Sequence, residues 1–130
     1  MPRPVRVHLT GGEQTGWALD ADVATTRTAL LALQDLVTLT PLEDAEVVHS
    51  VWEEPILHLD KRRLAGKRIV CHVCNELMRT FEMPCMTRAG ERIGLWVPIS
   101  REAEANLSAL GYRSVYVPYT VDTTLFTEAI

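Results

Sequence analysis

Short β-rich runs recur along this chain, and segments of helical composition separate them. The runs are VRVHLT (5–10), LVTLT (36–40), EVVHSV (46–51), RIVCHV (68–73), LWVPIS (95–100) and SVYVP (114–118). Residues 17–33 contain no Gly or Pro and are rich in Ala and Leu, which predicts a helix, with Asp20 or Asp22 suited to its positive end. Residues 55–64 read as a short helix or irregular crossover, and 76–92 as helical on either side of Pro84. Residues 101–110 form a further helix, with Ser100 as its cap and Gly111 after its end. Pro98 weakens its own run as a strand or assigns it to an edge. Strands alternating with helices imply crossover units and a parallel sheet. Near-continuous apolar runs such as IVCHV suit strands covered on both faces. The predicted fold is therefore α/β, a Rossmann-like three-layer domain with a mostly parallel sheet.

A chain of 130 residues suits one domain with a substantial core. Its 47% apolar and 23% charged residues are ordinary for a globular protein. No apolar run is long enough to span a membrane, and MPRPVRVHLT enters a strand pattern without the apolar core of a signal peptide, so the cytoplasm is the expected location. A net charge of −4 argues against nucleic acid as a partner. The densest basic run, Asp60-Lys61-Arg62-Arg63, reads as a solvated helix or turn. Three cysteines without a secretion signal suit free thiols.

Ligands of open parallel sheets bind at the carboxyl ends of the strands, so the strand exits carry the functional reading. The first exit is Thr10-Gly11-Gly12-Glu13-Gln14-Thr15-Gly16-Trp17. Its glycines allow close approach of a ligand or simply a flexible turn. They match neither a dinucleotide fingerprint nor a P-loop. The third exit, His49-Ser50-Val51-Trp52-Glu53-Glu54, offers an indole face for stacking and a carboxylate; equally, Trp52 belongs to the core and the glutamates to solvent. The fourth exit, Cys71-His72-Val73-Cys74-Asn75-Glu76-Leu77-Met78-Arg79, is the densest in reactive side chains. Zinc is rejected there. Residues three apart on a strand face opposite sides, and no second cysteine or histidine pair completes a site. Cys71 reads as a small buried apolar residue. His72 is either a ligand-binding or a structural histidine, and Glu76 and Arg79 are spaced to pair on a helix. A phospho-acceptor domain would need an Asp at a central exit, and a serine hydrolase a Gly-x-Ser-x-Gly elbow; the chain has neither.

Four segments together resemble the N-terminal half of GT-B glycosyltransferases of the retaining group called family 4. They are the strand and glycine loop LTGGEQTGWALD, the strand AEVVHSVW, the strand RIVCHVCNE with its histidine before a polar residue, and the pair WVPIS and VYVPYTVDTTLF. Val117, Pro118, Val121, Asp122 and Phe126 match the family's Val-Ile-Pro-Asn-Gly-Val-Asp…Phe pattern, whereas Tyr119-Thr120 replace Asn-Gly at the turn toward the hinge. The likeness covers residues 5–126.

The resemblance implies a single acceptor-side domain over residues 1–130, with an interdomain linker beginning at 119–130. A donor-binding domain would follow, so this chain would be half of an enzyme and inactive alone. The whole enzyme would move a sugar from a nucleotide-sugar donor to a hydroxyl acceptor, without metal or other cofactor. The implied catalytic residue is His72. Gly11, Gly12 and Gly16 would lie on the donor-phosphate side, and Trp17, Trp52, Asn75, Glu76, Arg79, Ser100 and Arg101 on the acceptor side. A severed half would expose its interdomain face and self-associate through it. The alternative is a stand-alone, non-catalytic α/β binding or interaction module.

Overall fold

The computed structural model describes residues 3–12, 18–73 and 92–118. Five strands form one sheet: β1 (Val5–Thr10), β2 (Val37–Leu39), β3 (Val47–Ser50), β4 (Arg68–Val73) and β5 (Leu95–Pro98). All pairings are parallel, in the order β2-β1-β3-β4-β5. The helices are α1 (Ala18–Ala32), α2 (Glu54–His58), α3 (Lys61–Leu64) and α4 (Arg101–Ala109), with a 3-10 turn at Leu42–Asp44. The expected α/β class and parallel sheet are present. The crossover at 55–64 is two short helices, α2 and α3. The helix expected over 76–92 and the family-like turn after Pro118 lie almost entirely outside the described residues.

The chain steps from β1 to β2 in one direction across the sheet, then from β1's other side through β3, β4 and β5. Right-handed crossovers therefore place α1 on one face and α2, α3 and α4 on the other. The α2–α4 face is the densely packed one. Val48 from β3, Cys71 from β4 and Trp96 from β5 are completely buried, and they form one cluster with Ile56 of α2, Leu64 of α3, and Ala103 and Leu107 of α4. Strand alternation puts Val7, Leu9, Val47, His49, Val70, His72 and Val97 on the α1 face. There Val7, Leu9 and Val97 are buried, but Val47, His49, Val70 and His72 are only partly so.

Residues 113–117 run parallel along the outer side of β5. Trp96 N–H donates to Arg113 O at 2.9 Å, Val115 N–H to Trp96 O at 2.9 Å and Val117 N–H to Pro98 O at 3.1 Å. Only Ser114 makes a formal bridge, so the expected last strand is a loosely paired sixth element. It covers the flank of β5. Pro98 is tolerated as the last residue of its strand, where its carbonyl still accepts. Gly111, with φ 82°, ends α4 in the left-handed conformation that glycine adopts without strain. Exposed apolar side chains gather at the two lateral flanks: Val5, Leu31, Leu33 and Leu36 near β2, and Leu110, Val115 and Val117 beyond β5. No described helix is long and apolar enough to cross a membrane.

Candidate functional site at the strand exits

The chain reverses its direction across the sheet between β1 and β3, the kind of switch point at whose carboxyl ends open α/β sheets bind ligands. Gly11 leaves β1 there with φ 127°. A Cβ at Gly11 would overlap Val51 Cγ2 and lie 3.3 Å from Trp52 Cδ1. Glycine is thus required by both backbone and space, because the chain leaving β3 packs directly over it. Trp52 is partly buried against this turn, and its Nε1–H is enclosed with no hydrogen-bond partner among the described residues. The buried Ser50 hydroxyl donates to the Trp52 carbonyl and fixes the turn. A Cβ at Gly12 would meet Asp20 Oδ1 at 2.9 Å, so a carboxylate from the first turn of α1 stands over this glycine.

His72 lies one residue before the end of β4. His49, on the same face of the neighbouring strand, faces it with Nε2 to Nε2 at 2.7 Å. The rings meet edge to face, with centroids 4.7 Å apart and planes at 71°. The register explains the meeting: His49 pairs with Val70, and His72 is the next residue of β4 on that face. Burial, and then the charge of His72, push His49 down to about 4. Burial also lowers His72, although the Asp22 carboxylate of α1 opposes the shift. Both imidazoles are therefore neutral at physiological pH. At 2.7 Å one Nε2–H must donate to a bare Nε2. The donor ring then has a bare Nδ1 and the acceptor ring an Nδ1–H. The pair thus presents one acceptor and one donor beyond the bond it makes internally. Glu53 adds a carboxyl whose ionisation burial disfavours, pushing it above the usual range, with Glu54 adding to the effect.

The structure therefore brings Gly11, Gly12, Trp52 and His72 to one end of the sheet and adds His49, Asp20, Asp22 and Glu53. Ser100 and Arg101 stand at the exit of β5 and are engaged locally. Ser100 Oγ accepts from Ala103 N at 3.1 Å, as the cap of α4. Arg101 pairs with Glu104 at 2.8 Å and stacks 4.0 Å from the Tyr116 ring centroid. Gly16, Trp17, Asn75, Glu76 and Arg79 lie outside the described residues. Cys71 is wholly buried, in keeping with its reading as a small buried apolar residue. Among the described residues, no group of three His, Cys, Asp or Glu is arranged to hold a metal ion. Comparison with known protein families, with curated proteins and with solved structures gave no significant match to this chain.

Proposed function

We propose that this domain is the acceptor-binding half of a glycosyltransferase that uses a nucleotide-sugar donor. The observation that carries the proposal is the chemistry of the strand-exit end. A neutral, proton-sharing histidine pair feels the Asp22 carboxylate, and the same end of the sheet carries Asp20 over Gly12, the Trp52 indole against Gly11, and the carboxyl of Glu53. Carboxylates accept hydrogen bonds from hydroxyls and repel phosphates. An indole suits the apolar face of a sugar ring. A hydroxyl both donates and accepts, which matches the two Nδ1 positions of the histidine pair. Asp20 above Gly12 favours a hydroxyl ligand at the first glycine loop over the donor phosphates that the family resemblance would put there.

In this reading His72 accepts a hydrogen bond from the attacking hydroxyl, and His49 holds its ring in the required tautomer and takes up part of a transferred proton. Trp52 orients the acceptor. The donor's diphosphate is held by the second domain that the resemblance implies. Its departure needs stabilisation that this acidic end does not offer.

The test is titration of the isotope-labelled chain with mono- and oligosaccharides and, separately, with uridine and guanosine diphosphate sugars, followed by NMR. The expected result is saturable shifts of the His49, His72 and Trp52 side-chain signals with a saccharide. His72→Ala should abolish the response. Shifts produced there by the nucleotide moiety alone, or no saccharide response at that end, would overturn the proposal.

A further inference from the structure

A second cleft, of about 330 Å3, opens at the opposite, amino end of β4. Its lining is Lys61, Leu64 and Ala65 of the α3 region, Lys67 and Ile69 at the start of β4, and Arg92 before β5. Half of these residues are cations and none is acidic. Lys67 and Arg92 are partly buried, and neutral carbonyls hold them. Lys67 Nζ donates to Ala45 O at 2.7 Å, and Arg92 Nη1 donates to Ile56 O at 3.0 Å. No carboxylate is paired with Lys61, Lys67 or Arg92 among the described residues. Among the described residues, two acids of the adjoining segments are already committed. Glu43 pairs with Arg63 at 2.6 Å, and Asp60 accepts from Arg62 N at 2.8 Å as the cap of α3.

Burying cations without a counter-charge is unfavourable, so a cleft of this kind gains by taking up an anion. We propose that it binds a small organic phosphate. Two ammonium groups and a guanidinium supply more donors than a carboxylate can use, and they match the three acceptor oxygens of a phosphate monoester. Leu64 and Ile69, both buried, supply an apolar floor for the ester group. The volume is near the small end of the roughly 300–1,000 Å3 usual for ligand cavities, which selects a small molecule over a polymer. The net charge of −4 also disfavours a nucleic acid. His72 is three residues further along β4 than Ile69, roughly 10 Å away, so this site is independent of the strand-exit reading.

Calorimetric titration of the whole chain at low salt, with phenyl phosphate, inorganic phosphate, benzoate and phenol as probes, tests the proposal. Phenyl phosphate should bind saturably, more tightly than inorganic phosphate or benzoate, and phenol should not bind. Lys61→Glu should weaken phenyl phosphate by about tenfold or more, through reversal of one nearby charge. Lys61 is exposed and makes no ion pair among the described residues, so this variant should keep the wild-type circular dichroism and melting temperature. Unchanged affinity in Lys61→Glu would overturn the site. Equal affinity for benzoate would overturn the phosphate, and equal affinity for inorganic phosphate would overturn the apolar subsite.

Discussion

The two faces of the sheet are built differently. On the α2–α4 face, Val48, Cys71 and Trp96 reach zero exposure and lock against Ile56, Leu64 and Leu107. On the α1 face, burial holds under α1, at Val7 and Leu9, and weakens over β3 and β4, where Val47, His49, Val70 and His72 are half-buried. α1 itself packs chiefly on β2 and β1 and has no fully buried side chain among its described residues. One face therefore carries most of the apolar burial. The other leaves room for polar, titratable groups near the strand exits. A histidine pair placed in the dense cluster would lose both its solvent access and its freedom to re-orient.

Paired truncations test this contrast most strongly. Leu107→Ala removes a wholly buried side chain from the dense face and should cost about 2–5 kcal/mol, since the surrounding residues only partly fill the cavity. Val70→Ala, on the same sheet but the looser face, should cost about 1 kcal/mol or less, because part of the side chain is already solvated. Urea unfolding of both variants gives the comparison directly. Equal losses would mean that the α1 face is packed as tightly as its opposite.

Acid should act through the looser face. His49 titrates at about 4 in the folded chain against an ordinary 6.5. Between those values the unfolded chain binds a proton that the folded one refuses. The stability is thus fully present above pH 6.5 and is lost as pH falls toward 4, by up to about 3 kcal/mol. His72 is shifted in the same direction and adds to the loss, with Asp22 moderating it. Glu53 works the other way. Burial raises its carboxyl above the ordinary 4.5, so its effect on stability falls as pH rises past that value. Two histidines act in one direction against a single carboxyl in the other, so the histidine effect should dominate. Urea midpoints should therefore drop between pH 7.5 and pH 4.5, and His49→Phe should flatten the slope. An unchanged slope in that variant would show that the pair is solvated.

Much of this architecture was legible in local sequence. Each β-rich run became a strand or, at 114–118, a loosely paired extension. Ser100 and Gly111 bound α4 because capping chemistry acts over three or four residues. His49 was not legible as a site residue. It lies 23 positions from His72, and only the adjacency and register of β3 and β4 bring the two rings together. Two histidines near the ends of apolar runs were the available signal, without the strand order needed to use it. The basic run at 61–63 is exposed on a short helix, as its composition indicates, and only Lys61 of it borders the cleft, which needs Lys67 and Arg92 from distant positions to form. Ser100 and Arg101 show the converse limit. Their types suit an anion at a helix start, yet nearer partners, Ala103 N–H and Glu104, take them.

The cap on α4 gives the smallest and cleanest test of how the dense face is held. Ser100 is exposed, so its replacement creates no cavity, and its one described role is to accept from Ala103 N–H. Ala103 itself is buried in the cluster, one turn before Leu107. Ser100→Ala should therefore cost about 1 kcal/mol through the unsatisfied donor alone. Ser100→Asp should recover most of that loss, because a carboxylate caps as well and suits the positive helix end. The Leu107 and Ser100 effects should also be less than additive. Once Leu107 no longer anchors α4, the helix start frays and its cap has less to hold. Full additivity in the double variant would mean that α4 keeps its first turn without its anchor, and that the dense face is secured by the sheet-side residues Val48, Cys71 and Trp96 alone.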